Sequence, residues 1–299
     1  MKYIDLTFLG TGNAVPTELR NHSAILLNFE GEHFLFDCGE GTQRQFRKAK
    51  TSIHKISSIF ITHWHGDHIL GIPALLQTLA MTDYKKTLEI YGPRGTKRNM
   101  DEILNLIKGT EISLKVHEIS SGKIIENKKY LIEAIELEHG TPALAYSFKV
   151  KDQIRLNKAK LKKFKIPNSP LIGKLQQGED IIFNGKKIKA SQLTYKEPGK
   201  KVSIVLDTKF CTNAIKISEN SDLAIVESSF SEQEKDKAGE RMHLTATQAA
   251  TIAKKAKAKK LALTHISERY EHNISIIEKE AKKVFKNVFV AKDLQTLKV

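Results

Sequence analysis

The sequence predicts an α/β sandwich. Short β-rich runs alternate with amphipathic stretches along the whole chain, and no repeat of fixed period or low-complexity tract interrupts them. Strands are expected at residues 3–9, 23–29, 33–36, 57–62, 87–91, 131–138, 143–150, 202–206, 223–227 and 260–264, several of them bounded by glycine or charged turns. Helices are expected at 42–49, 69–81, 95–107, 245–257 and 275–285. In the fourth of these, Thr245, Gln248, Ala249, Ile252 and Ala253 recur at helical spacing, with Leu244 just ahead of that face. The mixture excludes a helical bundle and an all-β barrel.

With 299 residues, 40% of them hydrophobic, the chain can bury a sizeable core. Its two cysteines, Cys38 and Cys211, are too few for a disulfide framework and form no Cys-x-x-Cys pair, so a reducing, cytoplasmic setting is expected. The opening Met1-Lys2-Tyr3-Ile4-Asp5 carries no apolar leader, and no uncharged apolar run approaches the about eighteen residues that span a bilayer. Neither export nor membrane insertion is expected. Forty-nine basic against thirty-four acidic residues give a net charge of +15. That balance fits a polyanionic partner, and it equally fits a lysine-biased composition, since forty-one of the forty-nine are lysine.

One stretch, 151–192, breaks the pattern. It has few strand signals, carries Lys158, Lys160, Lys162, Lys163 and Lys165 in close succession, and turns at Pro167-Asn168-Ser169-Pro170. It is expected to leave the main body, either as a phosphate-gripping arm or as a solvated, charged loop.

The chemistry concentrates after the apolar run Ile59-Phe60-Ile61, in His63-Trp64-His65-Gly66-Asp67-His68. Imidazoles and carboxylates are the ligand set of zinc and comparable divalent ions, and four in one turn exceed what a single open tetrahedral site takes from one segment. Two metals are therefore expected. Three further residues stand where apolar strands end: His139, Asp207 and His265. Ligands gather beyond strand ends in α/β folds, which gives that recurrence a physical reason. Asp37, at the end of another apolar run, is expected to orient a ligand rather than bind metal itself. Gly10-Thr11-Gly12 does not continue as a dinucleotide fingerprint, because Val15 stands where the third glycine belongs and Pro16 follows.

The run Phe36-Asp37-Cys38-Gly39-Glu40-Gly41-Thr42, the histidine cluster, His139, Asp207 and His265 resemble the ordered motifs of the metallo-β-lactamase superfamily. Gly10 to Pro16 with Arg20-Asn21, the inserted basic stretch, Arg241-Met242-His243-Leu244-Thr245 and Thr264-His265-Ile266-Ser267-Glu268-Arg269-Tyr270 resemble the ribonuclease Z family in particular, over nearly the whole chain. The resemblance implies a single domain over 1–299, built as a four-layer αβ/βα sandwich with an arm at 151–192 that serves as an RNA exosite. It implies two Zn2+ per chain, one held by His63, His65 and His139, the other by Asp67, His68 and His265, with Asp207 bridging. Asp67 is then the general base and His243 assists the leaving oxygen, although a plain helix-leading role for His243 stays open. Arg20, Asn21, Lys160, Lys162, Lys163 and Lys165 are the expected substrate contacts, a homodimer the expected assembly, and precursor transfer RNA the expected partner. Glu18, Ser169 and Leu244 depart from residues common in the family.

A hydroxide held between two cations can attack a phosphodiester in line, which gives a transfer RNA with a free 3′-hydroxyl and a trailer with a 5′-phosphate. The alternative is a hydrolase of small esters, lactones or thioesters on the same frame, since fold alone never fixes substrate.

Overall fold

The structure is a computed structural model and describes residues 3–109 and 111–299. Six strands come first: Asp5–Gly10 (β1), Ala24–Phe29 (β2), Glu32–Phe36 (β3), Ile56–Phe60 (β4), Leu88–Gly92 (β5) and Leu114–Glu118 (β6). Gly122–Glu126 (β7), Tyr130–Leu137 (β8) and Ala143–Val150 (β9) then begin a second sheet. The chain leaves the body through Gln153–Leu156 (β10), Ile181–Phe183 (β11), Lys186–Ile188 (β12) and Thr194–Glu197 (β13). It returns with Lys201–Val205 (β14), Leu223–Glu227 (β15), Leu261–Thr264 (β16) and Val288–Val290 (β17), and ends in Thr296–Lys298 (β18).

The first sheet has the order β18-β1-β2-β3-β4-β5-β6 and the second β17-β16-β15-β14-β9-β8-β7. Within each, one block is parallel: β3 to β6 in the first and β14 to β17 in the second. Phe8, Phe34, Phe36 and Phe60 from one sheet interlock with Tyr146, Phe148 and Ile204 from the other. On the outer faces, Leu75, Leu76, Leu79 and Met100 cover the first sheet, and Ala249, Ile252, Ala253 and Ile277 cover the second. Helix, sheet, sheet and helix thus stack as the expected four layers. Among the described residues no helix is long and apolar enough to cross a membrane.

The expected helices at 42–49, 95–107, 245–257 and 275–285 appear as Thr42–Lys48, Thr96–Leu106, Ala246–Lys255 and Ser275–Val284. Thr245 proves to be a cap, its hydroxyl accepting from the Gln248 amide while the Gln248 side chain accepts from the Thr245 amide. The helix expected at 69–81 is instead two, Gly66–Ile69 and Ile72–Met81. Between them Gly71 packs so tightly on the turn after β3 that a Cβ there would lie 2.1 Å from the Gly39 carbonyl oxygen.

Residues 153–197, which include most of the stretch 151–192, are folded, and their strands pair outside the two large sheets. β10 and β13 pair as an antiparallel stem from Gln153 to Glu197, and β11 pairs with β12. Helices Lys158–Lys163, Pro170–Gln176 and Ala190–Leu193 close over a separate apolar cluster that includes Ile166, Leu175, Ile181, Ile188 and Leu193. Because that cluster shares no member with the three body clusters, Leu175→Ala should loosen the arm alone. We expect a loss of about 2–5 kcal/mol of local stability, the usual effect of such a truncation. Hydrogen exchange should report it at 153–197 while protection of β14 to β16 stays unchanged, and equal loss in both regions would show that arm and body unfold as one.

Candidate metal centre

The topology explains why distant residues meet. Parallel neighbours β3 and β4 end side by side, so Asp37 lies next to the start of the histidine run, and β14, β15 and β16 end side by side at Asp207, Glu227 and His265. The Tyr146 hydroxyl donates to the Ile61 carbonyl at 2.6 Å and the Leu144 amide to the Thr62 carbonyl at 2.9 Å, which pins the two sheets together there. Asp37, Asp207 and His265 all take left-handed backbone conformations, with φ of 56°, 42° and 57°, as the chain turns sharply off each strand.

Behind the site, hydrogen bonds fix which nitrogen of each ring faces inward. The buried Asp37 carboxylate accepts from the Thr62 amide and hydroxyl, both at 2.7 Å, and from His68 Nδ1 at 2.6 Å. With its proton given to Asp37, the Thr62 oxygen accepts from His63 Nδ1 at 3.0 Å. His139 Nδ1 donates to the Met242 carbonyl at 3.1 Å. The Ser229 hydroxyl donates to Glu227 at 2.7 Å and accepts from His265 Nδ1 at 2.9 Å. Four rings therefore turn an unprotonated Nε2 toward the centre.

Those nitrogens converge. His65 Nδ1 lies 3.0 Å from His63 Nε2 and 3.2 Å from His139 Nε2. A few ångströms away, His68 Nε2, His265 Nε2 and Asp67 Oδ2 stand 3.2–3.3 Å from one another. Ligands on one tetrahedral zinc are about 3.3 Å apart, so this is the spacing a shared cation imposes. Asp207 lies between the groups, with Oδ2 at 3.4 Å from His63 and Oδ1 at 3.2 Å from His265. Its Oδ1 is buried yet accepts no hydrogen bond from any described residue. Converging lone pairs without protons between them leave a cation as their fitting partner, and the residues fit two overlapping sites, His63-His65-His139-Asp207 and Asp67-His68-His265-Asp207.

The electrostatics separate the two groups of rings. Burial and the neighbouring His68 lower His63 to about 4, and burial lowers His139, so both rings are neutral donors. Burial opposes charge on His68 as well, but the Asp207 and Asp37 carboxylates raise it well above the usual imidazole range, a preference for positive charge at this point that a bound cation would meet in place of the Nε2 proton. Burial would raise Asp67, yet the His265 and His68 rings that face it pull it far below the ordinary carboxylate range.

Glu227 is the residue that sequence reading missed. Fully buried at the end of β15, it accepts from the Thr208 amide at 2.9 Å and faces His243 Nδ1 at 3.1 and 3.2 Å. Although burial resists the charge, Glu227 and then Asp207 raise His243 to about 9. His243 therefore reaches the rim of the site carrying a proton at neutral pH.

The expected substrate contacts are divided. Lys160, Lys162, Lys163 and Lys165 are exposed on the arm, while Lys151 and Arg155, which are not among the expected contacts, are engaged by Glu126 and Glu197 at 2.7 Å each. Asn21 is half-buried, its amide donating to the Glu40 carbonyl at 2.7 Å. Arg20 turns inward. Its Nη1 donates to Thr11 Oγ1 and the Ala291 carbonyl at 2.7 and 2.8 Å, while Asp293 holds Thr11 and the Asn21 amide beside it, each at 2.7 Å. With 8% of its surface exposed, Arg20 fastens the 10–22 loop to the far end of the chain.

The fold and the clustered histidines and aspartates together define a hydrolase of the metallo-β-lactamase fold. The chain superimposes over its full length on such a protein from Bacillus subtilis, with TM-score 0.73 at 20% identity and 100% of each chain covered. A family model described as anti-Pycsar protein Apyc1 matches residues 4–287. Ribonuclease Z of Methanosarcina acetivorans is 41% identical, covering 98% of this chain and 97% of its own, and that of Listeria welshimeri is 40% identical, covering 99% of each. The crystal structure of human tRNase Z, short form, matches with TM-score 0.70 at 28% identity and covers 98% of both chains. The chain belongs to the ribonuclease Z family.

The Glu227–His243 pair yields a direct test. A raised imidazole pKa means that the pair's contribution to stability is complete below about pH 6.5 and fades as pH rises through about 9. In protein stripped of divalent ions, Glu227→Gln should bring the His243 midpoint down by about one unit or more, read by NMR of the ring. A midpoint still near 9 would assign the effect to Asp207.

Proposed function

We propose that this chain removes the 3′ trailer from precursor transfer RNA as a two-zinc endoribonuclease, leaving a 3′-hydroxyl on the transfer RNA and a 5′-phosphate on the trailer. One observation carries the reading: the two groups of candidate ligands that share Asp207, with His243 held against Glu227 at their rim. In the proposed assignment His63, His65 and His139 hold one ion, Asp67, His68 and His265 the other, and Asp207 bridges. Divalent ions held by these residues would supply an acidified water and offset charge on the phosphoryl oxygens.

The protein's own groups do the rest. Asp67, kept ionised by its two imidazole neighbours, orients the attacking water and takes its proton. His243 gives its proton to the departing 3′ oxygen, and Glu227 holds the ring in place behind it. Water thus adds across the bond between phosphorus and the 3′ oxygen. The exposed lysines of the arm meet phosphates of the folded RNA, a contact that a small ester, lactone or thioester has no use for. Both cysteines are free and buried, which supports a cytoplasmic setting, and the family resemblance supports a homodimer.

Elemental analysis should find about two divalent ions per chain, and His63→Ala or Asp207→Ala should lose metal and activity together. One ion in fully active protein would sink the dinuclear assignment. His243→Ala should keep both ions while kcat on precursor falls by about 10²–10⁴-fold.

Removing the arm between Gln153 and Glu197 should weaken precursor binding and flatten its salt dependence by roughly 0.7–0.9 in log–log slope per lost phosphate contact. Its loss on precursor should far exceed its loss on a small phosphodiester, and equal losses would return the lysines to a merely solvated surface.

A further inference from the structure

The row of strand ends that builds the metal centre does not stop at the histidine run. β5, the next parallel strand beyond β4, ends at Gly92, and the chain leaving it delivers Arg94. The helix Thr96–Leu106 then brings Arg98 and Asn99 to the same side, facing Trp64 and the turn Thr141-Pro142 just past His139. Together they line a cleft of about 500 Å³. A second hollow of about 610 Å³ shares Arg94, Thr141 and Pro142 with it and opens onto His139. Each has the volume of a small-ligand site, ~300–1,000 Å³.

The lining has unused recognition chemistry. Arg94 is exposed and makes no hydrogen bond or ion pair with any described residue. Among the described residues the Arg98 side chain bonds or pairs only with Asn99 at 3.1–3.3 Å and Glu102 at 3.8 Å. The nearby Glu118 is occupied, its Oε1 accepting from the Gly95 and Lys97 amides at 2.9 and 3.1 Å, and Glu136 lines the second hollow only. Trp64 donates its indole N–H to Thr96 Oγ1 at 2.9 Å, which fixes the plane of the ring.

We propose that this cleft is the subsite for the first nucleotides of the trailer, with a base stacked on Trp64 and the following phosphates on Arg94 and Arg98. Guanidinium forks suit phosphate oxygens, and a fixed indole face accepts any unpaired base. The side of the phosphorus follows from the reading of His243 as donor to the departing 3′ oxygen, on which this proposal rests. Neither His243 nor His265 lines either hollow, so the flank beside His139 and Trp64 is left for the chain that continues from phosphorus through its 5′ oxygen. A base-paired trailer cannot offer a free face to Trp64, so the subsite selects unpaired trailers.

Trp64 is the single tryptophan of the chain, which makes its fluorescence a reporter of this cleft. Titration of the metal-loaded protein with a 5′-phosphorylated tetraadenylate should change that fluorescence saturably, and mature transfer RNA without a trailer should not. The double variant Arg94→Ala, Arg98→Ala should bind the tetranucleotide at least tenfold more weakly. On unpaired-trailer precursor its kcat/KM should fall at least tenfold further than on bis(p-nitrophenyl) phosphate. A fluorescence change with mature transfer RNA instead of the tetranucleotide, unaltered affinity in the double variant, or parallel losses on both substrates would each overturn the proposal. The ends of the cut products test the leaving-oxygen assignment separately: a 3′-phosphate on the transfer RNA would overturn that assignment whatever the fluorescence shows.

Discussion

The carboxylate of Asp37 is the point on which the centre hangs. It lies where β3 ends, accepts three hydrogen bonds, and thereby joins the end of β4, the short helix Gly66–Ile69 and the orientation of two imidazoles. A carboxylate in this position is fully removed from water, so each lone pair left without a donor would be costly, and the donors are held in return. Through Thr62 it sets the tautomer of His63, and through Nδ1 it sets that of His68. Ser229 and Glu227 repeat the device on the opposite sheet for His265 and His243. Each half of the sandwich thus carries one buried acid that keeps the rings beside it aimed at the common centre.

The converging residues were legible in the sequence because each follows an apolar run that can only be a buried strand. The cluster between Ile61 and Leu70 and the isolated His139, Asp207 and His265 all carry that signature. Glu227 carries it too, after Leu223-Ala224-Ile225-Val226, but an acid closing a strand reads equally as a solvated turn residue. Only the parallel pairing of β14, β15 and β16, set by contacts far apart in sequence, puts it between Asp207 and His265. Arg20 was opaque for the same reason, since its inward fold depends on Ala291 and on Asp293 beside Thr11.

Elements that were hidden share a different cause. β6 and β7 lie at sheet edges, where Lys115, His117 and Lys123 interrupt any apolar alternation and half-exposed residues replace buried ones. The arm hid behind its charge. Its apolar residues are spaced widely among lysines, so no window of the sequence shows a continuous face, yet Leu156, Leu161, Ile166, Leu171 and Leu175 close into one cluster once the helices turn. The break at Gly71 was hidden because it answers the close approach of the Gly39 carbonyl, a neighbour from another segment.

The stem of the arm has a consequence for how the body assembles. Lys149 pairs with Lys201 in the β9–β14 ladder, and the Val150 amide donates to the Lys200 carbonyl at 2.8 Å, so the chain departs and re-enters at adjacent points. An unstructured excursion of this length would charge loop-closure entropy against every contact between β9 and β14. A module that gathers around its own apolar cluster first shortens the effective loop to a hairpin turn. To the folding body the whole insertion then counts as little more than a bend, which lets its length and charge vary without disturbing the register that carries Asp207 into place.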